Sequence, residues 1–234
     1  MSGMKSPKPK KRKKRGPINQ PWERPPKPEI GDPSPSHIFH AVGAALATWE
    51  TIEERTAKLF AAMISPNDPS FVAMRAFGTI STARGRAEML AAASAAHFLE
   101  QPNPRLEHTI AVVARAISGY AARRNEFAHG AIRTRGRKGK PGFFLAPPYY
   151  ATSKIRLDTG SLYIYNSTQI LEFTEHFASL GEVIDNLLWR FDVWAFAART
   201  YGGKLSPSQS VRLDWLLQYP TARIPKSQPQ SYRA

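Results

Sequence analysis

Between residues 37 and 200 the apolar positions step by threes and fours in four long stretches. The first runs from about 37 to 64 and reads Ile38, Val42, Ala45, Trp49, Ile52, Thr56, Leu59 and Met63. That spacing lays one face of a helix into a core. Ser36 stands where an N-cap would, and Ser65-Pro66 follows the end. A second helical region spans roughly 69–99, with Gly78 and Gly85 inside it and Pro102 and Pro104 beyond it. The third covers about 104–129. Its inward stripe reads Leu106, Ile110, Val113, Ile117, Tyr120, Arg124 and Phe127, with Gly130 as the stop. The fourth, about 167–200, carries Ile170, Phe173, Phe177, Leu180, Ile184, Leu187, Phe191, Trp194 and Ala198. Four such stretches predict an all-α helical bundle.

The rhythm lapses in three places. Residues 1–36 hold the run Lys5–Arg15 and prolines at 17, 21, 25, 26, 28, 33 and 35, and are expected to form a disordered, basic, proline-rich arm. Between the third and fourth helices, Arg133, Arg135, Arg137, Lys138 and Lys140 alternate with Gly and Pro, which reads as a mobile basic loop. Ile155–Leu157 and Leu162–Tyr165 then flank Asp158-Thr159-Gly160-Ser161, so a small β-hairpin insert is expected within about 142–166. Residues 201–234 are expected to be a C-terminal extension with a short helix at 208–219 and a loose tail.

A chain of 234 residues can bury a core without staples. Its formal charge of +15 is unevenly spread: residues 1–35 and 115–140 carry +7 each, residues 220–234 add +3, and the blocks 36–114 and 141–219 are near neutral. Such patches attract polyanions, nucleic acid above all. The absence of cysteine excludes disulfides, thiolate metal sites and a cysteine nucleophile. No apolar stretch follows the basic N-terminus, and none approaches the ~20 residues that cross a bilayer. A cytoplasmic location without membrane contact is therefore expected, or a nuclear one in a eukaryote, where Lys10–Arg15 would read as an import signal.

One residue breaks the third stripe. Arg124 shares it with Ile110, Val113, Ile117 and Tyr120, and an inward arginine needs a partner. Glu50 and Glu53 of the first helix are the candidates. His129 lies five residues on, at the helix end, followed at once by the basic segment. An imidazole there is suited to proton transfer on a polyanion drawn to that segment. The expected contacts to the polyanion are Arg123, Arg133, Arg135, Arg137, Lys138 and Lys140, with Glu53 and Glu126 in supporting positions.

Arg124-Asn125-x-x-x-His129 resembles the R-x4-6-H signature of HEPN domains, including the polar Asn after the Arg. The long first helix with Trp49 and Glu53, the motif at a helix end and the amphipathic helix after it extend the resemblance over roughly 37–200. It implies a HEPN-like bundle of four main helices with the hairpin inserted between the third and fourth. It further implies a metal-independent endoribonuclease without cofactor, acting as a homodimer on RNA. In that reading His129 assists 2′-hydroxyl attack or protonates the leaving oxygen, Arg124 holds the scissile phosphate, and Asn125 orients the phosphate or the histidine. Defence, toxin–antitoxin and stress roles all fit, with an antitoxin or regulatory protein as a further partner. The alternative is a non-catalytic HEPN dimer scaffold that binds RNA or a partner protein. Glu126-x-x-His129 is also a di-iron ligand spacing, but the chain lacks the second pair such a site requires, and no metal is expected.

Overall fold

The computed structural model describes residues 20–65, 70–137, 140–148 and 163–200. Five helices and one two-stranded sheet occur among them: α1 (Pro35–Ile64), α2 (Phe71–Gly78), α3 (Ala83–Glu100), α4 (Pro104–His129), β1 (Ala131–Arg137), β2 (Lys140–Ala146) and α5 (Ser167–Thr200). The architecture is mostly helical.

The long helices α1, α4 and α5 surround an aromatic core. Trp49 of α1 meets Phe177 of α5 edge-on at 5.2 Å, and further along both helices Arg55 pairs with Asp185 at 3.0 Å. The two helices therefore run in the same direction. Tyr120 also contacts Phe177, and Phe127 contacts Phe173, so α4 runs the opposite way. The periodic residues of α1 are buried except Val42, which is half-buried. In α5 the stripe from Ile170 to Phe191 is buried. The buried indole of Trp49 donates to Glu53 Oε1 at 2.8 Å, which satisfies its one polar atom.

Four sequence expectations need correction. First, α1 begins at Pro35 and is capped by Ser34, not Ser36; the Ser34 hydroxyl accepts from the Ser36 amide. Proline suits the first turn because its missing N–H would have no helical partner there. Second, the region 69–99 is two helices, not one, so five helices replace the expected four. Thr82 caps α3 through the Gly85 amide, and the carbonyl of Ile80 accepts from Arg86. These local bonds compete successfully with helix continuation. Third, the basic segment is not a loop: residues 131–137 form β1, paired antiparallel with β2 so that Arg133 faces Phe144, Arg135 faces Gly142 and Arg137 faces Lys140. The hairpin thus lies upstream of the one expected around residues 158–161, which is outside the described residues, as are residues 201–234.

Fourth, the described part of the expected arm, residues 20–34, is packed as a strap over the bundle; residues 1–19 lie outside the described residues. Asp32 bridges Phe143 through two backbone hydrogen bonds of 2.9 Å, on the edge of β2 away from β1. Its carboxylate accepts from the Ser167 amide at 2.8 Å and from the Ser167 hydroxyl, at the start of α5. A carboxylate there satisfies otherwise unpaired helix donors and suits the positive end of the dipole. The side chains of Asn166 and Gln169 donate to the carbonyls of Ile30 and Pro26. Proline carbonyls remain good acceptors, so a proline-rich segment that cannot form a ladder can still be tied down through them.

At the strap's upstream end, the Trp22 ring lies directly on Gly119 of α4 and meets Tyr120 edge-on at 5.7 Å. A Cβ at position 119 would fall 2.5 Å from the indole. Alanine in a helix interior normally stabilises by about 1 kcal/mol over glycine. Here the indole has to shift off α4, and overpacking of this kind costs ~1–3 kcal/mol. Gly119→Ala is therefore expected to lower stability in urea unfolding and to expose Trp22 by fluorescence. A variant more stable than the wild type would show that the strap does not press on α4.

Candidate functional site

The last two turns of α4 carry the candidate chemistry, and neighbouring residues there face different surroundings. The Arg124 side chain is 28 % exposed and donates to Glu50 Oε1 at 3.1 Å, with a long 3.4 Å contact to Asn125 Oδ1. Glu50 is itself largely exposed. The Arg124 Nε is buried with no partner among the described residues. Asn125 and His129 are exposed and lie four residues apart, on one face of the helix. Among the described residues nothing hydrogen-bonds the His129 ring, and no contact joins it to Arg124. Five residues separate them, about 140° around the helix. The fold brings together Arg124, Asn125 and Glu50, and leaves His129 beside Asn125.

The buried arginine is Arg123. Only 9 % exposed, it cannot serve as the RNA contact the sequence suggested. It pairs with Glu126 at 3.1 Å. Glu126 is the centre of a network in which Arg24 of the strap donates to Oε1 from Nε and Nη2 at 3.0 and 2.6 Å. The Tyr165 hydroxyl donates to Oε2, and the Tyr163 hydroxyl reaches the Glu126 backbone carbonyl at 3.3 Å. Arg24 also lies over the Tyr163 ring, 5.9 Å from its centroid. With Oε1 and Oε2 both engaged by donors, Glu126 does not offer a metal the carboxylate that its spacing to His129 suggested. Among the described residues no group of three His, Asp or Glu side chains is placed to hold a metal ion.

Glu53 does not reach Arg124. It takes the Trp49 indole N–H and an ion pair from Arg86, whose Nε also holds the Ile80 carbonyl. Glu50 is the partner of Arg124. Arg133, Arg135 and Arg137 occupy alternate positions of β1, and Lys140 opens β2. Lys138 lies outside the described residues. The hairpin starts immediately after Gly130, where a Cβ would come within 2.6 Å of Leu145 and 2.9 Å of the Glu126 carbonyl. Glycine is needed there for close approach. Its φ of −72° and ψ of 155° are open to any residue.

Sequence reasoning missed Arg24, Tyr163, Tyr165 and Arg86. A single tryptophan in a proline-rich stretch, Trp22, was the available sign that the strap packs. No local pattern marks Arg24.

Comparison of the chain with protein-family models, with curated proteins and with solved structures yields no match in any of the three. No helix among the described residues is long and apolar enough to cross a membrane.

The network leaves a titration signature. Burial pushes the Tyr163 hydroxyl up to about 12, with the Glu126 charge adding to the effect. Burial and then the hydrogen bond to Glu126 push Tyr165 up as well. Both phenols remain protonated in the fold at pH values where they ionise in the unfolded chain. The unfolded state then binds fewer protons, so this contribution is intact below about pH 10 and is lost progressively as pH rises through the folded values. The urea midpoint of Tyr163→Phe should therefore fall less steeply than that of the wild type between about pH 10 and 12. Parallel curves would show that the phenol ionises equally in both states.

Proposed function

We propose that this protein is a metal-independent endoribonuclease of the HEPN type, with Arg124 and His129 as its reactive pair in a homodimer. The observation that carries the reading is the setting of Arg124. Its guanidinium is held at the surface by an exposed carboxylate, five residues before an exposed histidine and seven before a strand with arginine at alternate positions. An exposed ion pair such as Arg124–Glu50 contributes about 0–1 kcal/mol. An RNA phosphate, which a guanidinium can hold through two parallel bonds, displaces Glu50 at little cost.

In this mechanism His129 accepts the proton of a ribose 2′-hydroxyl. The oxygen attacks the adjacent phosphorus, and Arg124 neutralises the extra charge of the transition state. The bond to the 5′-oxygen breaks, and that oxygen takes a proton from His129 of the second copy. The products are a 2′,3′-cyclic phosphate and a 5′-hydroxyl, and the proton transfers are carried by the two histidines. Asn125, on the His129 face, orients the imidazole or the phosphate. The ~140° between Arg124 and His129 on one helix favours a cleft shared between two chains, to which each contributes its His129.

End-labelled RNA incubated with the protein in EDTA is expected to yield cyclic-phosphate ends. A substrate with a single 2′-deoxy sugar should resist at that position. Arg124→Ala and His129→Ala should each lower the rate by about 10²–10⁴-fold. Binding without cleavage in all three proteins would replace this reading with a scaffold that binds RNA through the same basic surface, as the Arg124–Glu50 pair alone would permit.

The basic run ahead of the strap supplies affinity in this reading. Removal of residues 1–19 leaves Trp22 and Arg24 in place and takes away eight Lys/Arg. RNA affinity is expected to fall and its salt dependence to flatten, because fewer counterions are released. An unchanged slope would exclude the run from the interface.

A further inference from the structure

Three stretches far apart in the chain converge on one carboxylate inside the motif. Glu126 lies between Arg124 and His129, 102 residues from Arg24 and 39 from Tyr165, and its side chain is 10 % exposed. Oε1 takes both arginines and Oε2 takes the phenol. The same residue's backbone carbonyl is among the last four of α4, which lack helical partners, and Tyr163 supplies a donor to it. The chain leaves the helix at Gly130, pressed between that carbonyl and Leu145. Glu126 thus bonds through side chain and backbone to the strap, to α4 itself and to the segment leading into α5.

We propose that Glu126 is a positioning residue of the candidate site: by pinning the last turn of α4 to Arg24 and Tyr165, it sets the position of His129. The inference rests on the ribonuclease reading for its kinetic test and stands apart from it for its structural one. Among the described residues Glu126 is the carboxylate that pairs with both Arg24 and Arg123, and the Arg123 Nε has no partner of its own. Removal of the Glu126 charge leaves two guanidinium groups facing each other at the end of the motif helix. Their repulsion is relieved by movement of the strap or of the last turn. His129 is one turn away, and displacements of about 1 Å at a reacting group cost on the order of 10²-fold in rate.

The experiment compares wild type, Glu126→Gln, Glu126→Asp, Arg24→Gln and Tyr165→Phe at a temperature where each is fully folded by circular dichroism. Initial rates on RNA give kcat and KM, and amide hydrogen exchange gives local protection at residues 127–130. Glu126→Gln is expected to lower kcat about 10–100-fold with KM nearly unchanged. It should also lower protection at 127–130 at least tenfold relative to Ile52–Leu59 of α1. Glu126→Asp should recover part of both. If Glu126→Gln fails to fold, Arg24→Gln and Tyr165→Phe, each removing one partner, carry the same comparison. Unchanged kcat together with unchanged protection at 127–130 overturns the proposal. So does a uniform loss of protection across the bundle with normal kcat, since that marks a purely structural role. If the wild type cleaves no RNA, or Arg124→Ala and His129→Ala cleave normally, the ribonuclease reading fails. The exchange data alone then decide whether Glu126 fixes the helix end.

Discussion

A carboxylate held in a nearly dry pocket between two guanidinium groups and a phenol is the constraint on which the motif end of this molecule depends. Removing Glu126 and Arg123 from water costs several kcal/mol per ion, and the mutual attraction offsets this only with good geometry and further hydrogen bonds. Here the further bonds come from Arg24 and Tyr165, on the strap and beyond the hairpin. Displacing either segment takes a donor away from the Glu126 carboxylate. The strap, the hairpin and the end of α4 are therefore coupled, although they are distant in sequence.

The aromatic core supplies the rest of the alignment. Phe127 packs against Tyr165, Phe173 and Phe177 from the same helical turn whose neighbouring residue, Glu126, makes the polar network. Tyr165 belongs to both. Its ring meets Phe127 edge-on in the core and its hydroxyl reaches Glu126, so apolar packing places the donor and the ion network places the ring. On the opposite side of α4, Arg124 pairs with an exposed glutamate of α1. One face of the helix end is locked and the other is open to exchange partners, which is the arrangement an anion-binding arginine requires.

The helices were legible because their periodicity is local. The limits of α4 and α5 coincide with the stretches that step by three and four, since a stripe of Ile, Phe and Leu needs only a core of some kind to face. The strap and the hairpin were harder. Prolines correctly signalled that residues 20–34 form no helix, but whether such a segment packs depends on carbonyl acceptors and on Gly119 leaving room for Trp22, which lies nearly a hundred residues away. The basic segment read as a loop because Gly and Pro weaken strand propensity. Pairing with Phe143, Phe144 and Leu145, themselves buried or half-buried, overrides that preference.

The distinction between Arg123 and Arg124 shows where sequence reasoning stops. Steps of three or four after Tyr120 reach either residue before Phe127, so periodicity admits both as inward. By itself the sequence determined the extents of α4 and α5, the basic character of the segment after α4, and the presence of an arginine, an asparagine and a histidine at the end of one helix. Only tertiary structure decided which arginine is buried. Adjacent helical residues point about 100° apart, and the strap with the Tyr163–Tyr165 segment covers one direction while α1 meets the other. Local spacing brings Glu126 within reach of Arg123, but it carries no information about Glu50, which α1 brings to Arg124.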